Sequence, residues 1–257
     1  MPRTLSHAVP DLCLAFPDAE EFVSHGSPNF RVRGGRTFAV YALNHHGDGR
    51  VALWLAAPPG AQERYVDLDP AHYFVPQYVG PRGWLGVQLD RGLPWPQIVE
   101  RVREAYSQVA SHAQVAAISR RLKIAPPDTA LSAAEIDPLQ SPRAQDVIGK
   151  LRTICLALPE TCEELQFGTP VWRAGKKAFA GAHAFGGPLM LTFWVGIDRQ
   201  SLMTIDPRFH IPAYLGHNGW IALDASQHAD WNAITALVHD SYRHFALKRM
   251  LAAWSGD

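Results

Sequence analysis

The 257-residue chain is poor in cysteine, has no excess of either charge and contains no long apolar run. Its three cysteines, Cys13, Cys155 and Cys162, include no C-x-x-C pair, so neither a disulfide framework nor a zinc site is indicated. Basic and acidic side chains number 24 each, whereas a nucleic-acid binder usually carries a basic excess that displaces phosphate counterions. That balance weighs against tight non-specific binding. No apolar stretch approaches the length of a membrane span, so no membrane partner is expected. Residues Met1 to Phe16 lack the basic start and unbroken apolar core of a signal peptide, being interrupted at Pro10 and Asp11. The expected compartment is therefore the cytoplasm.

Catalytic signatures are also missing. There is no G-x-S-x-G, no P-loop and no G-x-G-x-x-G following a strand, which leaves hydrolase, kinase and dinucleotide readings without support. Twelve histidines invite a metal, but none of them form a triplet with ligand spacing. His239 and His244 are five apart, about 140° around a helix rather than on one face. Cys13 and Cys155 fall at the same apolar helical position and read as small core residues, and Cys162 stands alone. No metal, cofactor or catalysis is expected.

What the chain does have is a repeat. A shift of 142 places Cys13-Leu14-Ala15-Phe16-Pro17 on Cys155-Leu156-Ala157-Leu158-Pro159, Glu21 on Glu163, Gly26 on Gly168, Pro28 on Pro170 and Arg31 on Arg173. Eight of nineteen positions are identical, where residue frequencies give roughly one. A shift of 136 then aligns Pro76, Tyr78, Gly80, Gly83, Trp84 and Trp95 with Pro212, Tyr214, Gly216, Gly219, Trp220 and Trp231. Ile98, Val102 and Tyr106 meet Ile234, Val238 and Tyr242 at the same shift. Two blocks in one order indicate duplication and drift.

Each copy reads alike. The second opens at Ser141-Pro142, an N-cap followed by proline, with helical apolar spacing from Val147 to Leu158. β-rich runs follow at 171–173, 178–183, 189–195 and 220–223, then a closing helix from about Asp230 to Ala252. The first copy has runs at 30–33, 37–43, 51–56 and 84–89 and a closing helix from about Pro94 to Ala117. Its opening helix is clipped, with Pro10 among the few residues before Cys13. The order predicts an α+β class: two tandem two-layer domains, each an antiparallel sheet with helices packed on it. The first spans 1–118 and the second 143–257, with a Pro/Ala/Ser/Asp-rich linker at 119–142. Such a pair can form a pseudo-dimer within one chain, so a monomer is expected.

The anchor blocks resemble the MmcQ/YjbR-like family of small bacterial domains. The resemblance rests on Gly26-Ser27-Pro28-Asn29-Phe30-Arg31 and Gly168-Thr169-Pro170-Val171-Trp172-Arg173. It extends through the glycine hairpins leading to Phe38-Ala39 and Phe179-Ala180, and the segments Asp69-Pro70 to Trp84 and Asp206-Pro207 to Trp220. These cover almost all of both halves. The resemblance implies a secretion-chaperone-like fold and DNA binding through a double-wing arrangement. It also implies a basic pair ending the closing helix, present as Lys248-Arg249, where the first copy has Ser111-His112-Ala113. The single-domain pattern of the family is doubled here.

Eight cations are candidate nucleic-acid or anion contacts. Arg31 and Arg173 follow an aromatic on a strand and suit phosphate geometry, or else an ion pair with Glu21 and Glu163. Arg33, Arg36, Lys176 and Lys177 sit on hairpins that could act as wings, and Lys248 and Arg249 are the helix-end pair. The recurring Trp84, Trp220, Tyr78 and Tyr214 read as packed aromatics rather than a stacking platform. The leading expectation is a non-catalytic binding protein with nucleic acid as partner. Its rivals are a protein-interaction module of secretion-chaperone type and a small-molecule sensor or enzyme with a pocket between the copies.

Overall fold

The computed structural model of the chain describes residues 2–118, 122 and 124–254. They form two compact units, Met1–Ile136 and Asp137–Asp257. The first contains α1 (Leu5–Leu14), β1 (Ala19–Ser24), β2 (Ser27–Val32), β3 (Thr37–Leu43), β4 (Val51–Leu55), α2 (Ala61–Leu68), β5 (Tyr73–Phe74), β6 (Leu85–Gln88), α3 (Trp95–Ser107), α4 (His112–Ala116) and α5 (Ala133–Ile136). The second contains α6 (Pro142–Leu156), β7 (Thr161–Gln166), β8 (Thr169–Ala174), β9 (Lys177–His183), β10 (Met190–Trp194), α7 (Ile197–Met203), β11 (Phe209–His210), β12 (Trp220–Asp224), α8 (Trp231–Phe245) and α9 (Lys248–Ala253).

The strand orders are β1-β2-β3-β4-β6-β5 and, in the other unit, β7-β8-β9-β10-β12-β11, antiparallel throughout. The chain is thus two α+β domains of one topology. Arg31 lies on β2 and Arg173 on β8, while Trp84 precedes β6 and Trp220 opens β12. The edge strands β1, β5, β7 and β11 were not expected. β1 alternates half-exposed with exposed residues and carries two glutamates, so its sequence lacks the apolar alternation that marks a half-buried strand.

Each long closing helix buries one stripe on its sheet, Ile98, Val102 and Tyr106 in α3, and Ile234, Val238 and Tyr242 in α8. α1 runs straight through Pro10. Its buried face of Leu5, Val9, Leu12 and Cys13 offsets the roughly 3 kcal/mol that an interior proline costs. The described part of 119–142 is packed rather than free. Trp95 Nε1 donates to the Ile124 carbonyl at 3.0 Å, the Asp128 amide donates to the Arg3 carbonyl at 2.7 Å, and Leu131 and Ile136 lie on the first core. Leu139 belongs to the second core and Ser141 caps α6. The composition suggests a linker, but its scattered aliphatics have a core to bury in.

Candidate nucleic-acid interface

The β2–β3 and β8–β9 hairpins carry most of the candidate cations. In the antiparallel register Glu20 stands opposite Arg31, and the pair closes at 2.6 Å with the guanidinium 4.7 Å from the Phe22 ring. The register places Cys162 opposite Arg173, so that arginine reaches diagonally to Glu164, also at 2.6 Å. It donates as well to the Lys176 carbonyl at 3.0 Å and to Gln166 Oε1 at 3.1 Å. The expected partners Glu21 and Glu163 are therefore replaced by Glu20 and Glu164. Pairing across strands is set by register, which the sequence spacing did not reveal. Glu163 instead holds Arg152 at 2.6 and 2.7 Å and accepts from Trp172 Nε1 at 3.1 Å.

The hairpin turns differ. Arg33 is exposed, 3.8 Å from Glu20, and Arg36 donates to the Gln108 carbonyl at 3.0 Å. Gln108 ends α3, where carbonyls lack intrahelical partners and a cation is favoured. In the second domain Gly175 takes a left-handed turn (φ +61°), and a Cβ there would stand 3.6 Å from Leu247. That contact sets the turn that carries Lys176 and Lys177 against Leu247, the residue before Lys248 at the junction between α8 and α9. All three lysines are exposed, and none makes an ion pair among the described residues.

Arg249 is different. It forks onto Glu160 with contacts of 3.1, 3.1 and 2.7 Å, which pushes its pKa up. In the first domain Ala113 falls at the place of Arg249, and its neighbour Gln114 donates to Asp18 at 2.9 Å; Asp18 and Glu160 share a left-handed backbone (φ +52° and +53°). The arginine of the basic pair thus performs the fold-closing role that Gln114 performs in the other copy.

The repeated aromatics divide. Trp220 is buried and Trp84 half-buried against the core, whereas Tyr78 and Tyr214 project outward. The expectation of packing fails for the two tyrosines. Tyr78 has a left-handed backbone (φ +60°) that lifts its ring off the sheet, where it donates or accepts at His46 Nδ1 across 3.3 Å. Further exposed apolar side chains gather on the connection from β10 to β12: Ile197, Leu202, Ile205, Ile211 and Leu215. Cys13 and Cys155 are buried, with thiols pushed to high pKa by burial, and Cys162 is exposed. Among the described residues no three His, Cys, Asp or Glu side chains are placed to hold a metal, and no helix is long and apolar enough to cross a membrane.

Sequence reasoning missed a pair of buried glutamines. Gln62 Nε2 donates to the carbonyls of Gly80 (2.8 Å) and Trp84 (2.5 Å), and Gln200 Nε2 donates to those of Gly216 (2.7 Å) and Trp220 (2.6 Å). Each fixes the turn that leads into β6 or β12.

The sequence model of the YjbR family matches residues 14–108 and 156–244, one copy on each domain. Among solved structures, a Deinococcus radiodurans protein, DR2400, with a DUF419 domain, is similar at 22% identity. The match covers 37% of this chain and 75% of that one, with a TM-score of 0.33. A search of curated proteins finds no match.

Proposed function

The chain belongs to the YjbR family, carrying two copies of its domain, and on that premise we propose that it is a non-catalytic binding protein whose second domain meets the phosphate backbone of nucleic acid. The observation that supports this reading is that Lys176, Lys177 and Lys248 are exposed, make no ion pair among the described residues, and each follow closely on Gly175 or Leu247, which pack together. Counterion release needs cations that are not already neutralised. Arg31, Arg173 and Arg249 are engaged by carboxylates and Arg36 by a helix-end carbonyl, so they supply framework rather than first contacts.

Three contacts make a weak, sequence-tolerant binder. A fluorescence-anisotropy titration of duplex DNA should give a log–log salt slope of about −0.9 per phosphate neutralised, hence roughly −3 in all. Replacing Lys176 and Lys177 together with glutamine should flatten it by about two units, with folding unchanged because exposed turn charges contribute little. Absence of binding at about 50 mM salt, where attraction is strongest, would overturn the reading.

A second reading, a protein-docking module, is favoured by the exposed apolar side chains of Leu202, Ile205, Ile211 and Tyr214 along one connection of the same domain. It predicts concentration-dependent association in sedimentation that Ile205→Glu abolishes and salt does not weaken.

A further inference from the structure

On α3 the side chain of Arg101 is only 13% exposed. Its Cζ lies 4.4 Å from the ring centre of Tyr65 on α2, and Nη2 is 3.0 Å from Glu104 Oε1 one turn along. Nε and Nη1 are buried with no acceptor in the protein. Burial lowers the pKa of this arginine and raises that of Glu104. Next to this pair opens a cavity of about 270 Å³ whose wall includes Pro58, Pro59, Ala61, Arg64, Tyr65 and Glu104. A recess of only about 10 Å³, sharing Pro58, Ala61, Tyr65 and Glu104, ends on Leu55, Leu85 and Arg101, which does not line the larger cavity itself.

Burying a guanidinium with most of its N–H donors unused is costly, and a fold does not keep it for stability. The second domain shows that this fold has no need of it. The shift of 136 that superposes Ile98, Val102 and Tyr106 on Ile234, Val238 and Tyr242 puts Leu237 at the place of Arg101, and Leu237 is buried in the core. Counting from the matched glutamines Gln62 and Gln200, Arg64 and Tyr65 become Leu202 and Met203. The counterpart of Glu104, Asp240, is closed off by Arg199 at 2.8 Å and Arg243 at 3.4 Å. The cationic cavity is a property of the first domain.

We propose that this cavity binds a small organic monocarboxylate. The carboxylate is met by Arg64 on the cavity wall and directs one oxygen into the water-sized recess that ends on Arg101, and the hydrocarbon body lies on Tyr65, Pro58 and Ala61. Two arginines against Glu104 leave one net positive charge, which suits a monoanion, while Glu104 repels a dianion. The apolar walls favour a hydrocarbon over a hydrated phosphate. The volume is just below the roughly 300–1,000 Å³ of drug-sized pockets, so the ligand is small.

The test is calorimetric titration of the full chain with benzoate, its neutral analogue benzyl alcohol, and inorganic phosphate. Benzoate should bind saturably and at least about tenfold more tightly than either competitor, a difference of roughly 1.4 kcal/mol. Arg101→Leu, which places the second domain's residue there, should fold, since the part-exposed Glu104 stays hydrated without its partner. It should lose about tenfold or more in benzoate affinity and keep its weak benzyl alcohol binding. Equal affinity for benzoate and benzyl alcohol, tighter phosphate than benzoate, unaltered benzoate binding by Arg101→Leu, or no saturable heat at millimolar benzoate would each overturn the proposal. Should Arg101→Leu fail to fold, the variant Arg64→Gln decides: weakened benzoate binding supports the site, and unchanged binding overturns it.

Discussion

In both domains a buried glutamine ties down the turn before the last long strand, and a buried tyrosine closes the helix onto the first loop. Tyr106 donates to the Pro17 carbonyl at 2.7 Å and Tyr242 to that of Pro159 at 2.8 Å. One turn of helix away the domains part, Arg101 in one and Leu237 in the other. Duplication leaves each fold-defining contact required twice, since each domain must bury its own core, whereas a binding contact is needed in only one copy. Contacts that persist in both therefore mark the scaffold, and a costly residue present in one marks use. The lysines follow the same division: residues 1–118 contain none, and the unpaired Lys176, Lys177 and Lys248 all lie in the second domain.

The sharpest way to break this comparison is to exchange the differing residue. Leu237→Arg puts a guanidinium among buried aliphatics, near an Asp240 already held by two arginines. It should destabilise the second domain by about 4 kcal/mol or more. Arg101→Leu removes the poorly partnered guanidinium but also the counter-ion of a part-exposed Glu104, and should cost the first domain less than Leu237→Arg costs the second. Amide hydrogen exchange read by mass spectrometry reports each domain separately. Comparable costs in the two directions would mean that the two sites are not equivalent environments.

Next in size is the tryptophan pair. Trp220 is buried and its ring stacks 5.7 Å from Phe245, so Trp220→Ala should cost about 3–4 kcal/mol. Trp84, half-buried, should cost only about 1–2 kcal/mol. Equal losses would show that exposure does not separate the two.

The glutamines should instead behave alike. Gln62→Leu and Gln200→Leu each remove two hydrogen bonds, the Gly80 and Gly216 carbonyls keeping only the Gly83 and Gly219 amides, and each should cost its own domain about 2 kcal/mol. A loss in one domain alone would remove this contact from the shared scaffold.

The anchors Gly80, Trp84 and Tyr106 were legible because they recur at one constant shift, and with them came the fold class and the positions of the central strands. Gln62 and Gln200 recur at 138, between the blocks at 142 and 136, so insertions hid them from a block comparison. Arg101 was hidden differently. It sits in an amphipathic helix where arginine is ordinary, and its burial depends on Tyr65 from an element far along the chain. The positions of the eight cations were readable, but not which were spent. Glu20 and Glu164 reach Arg31 and Arg173 only once the register is known, and the Gly175 turn meets the α8–α9 junction only through Leu247.

The smallest effect is a difference in acid sensitivity, and it tests whether the domains differ in their polar interiors as well as at one site. In the second domain His183, His239 and His244 all have lowered pKa, burial being the first cause in each. His183 is stacked 4.8 Å from Phe185 with Nδ1 buried and unpartnered, His239 meets the edge of Trp254 at 4.9 Å, and His244 lies 3.4 Å over Trp194. In the first domain His45 is lowered, by burial and then by His46, but His72 is raised, chiefly by its hydrogen bond to Asp69 at 2.8 Å. A histidine whose folded pKa lies below its unfolded value binds fewer protons when folded, so stability falls as pH drops through the unfolded value near 6.5. A raised histidine does the reverse. It adds stability below its unfolded value, and that contribution disappears as pH rises through its folded one. The opposed shifts of His45 and His72 offset each other, whereas the three in the second domain act together. Acidification from about pH 7 to about pH 5 should therefore weaken the second domain more than the first, as measured by domain-resolved hydrogen exchange with intrinsic rates corrected for pH. His183→Gln should flatten the response of the second domain, since the amide carries no titrating charge. If both domains lose stability in parallel, or if His183→Gln leaves the slope unchanged, the difference between the copies is confined to the Arg101 cavity and the unpaired lysines.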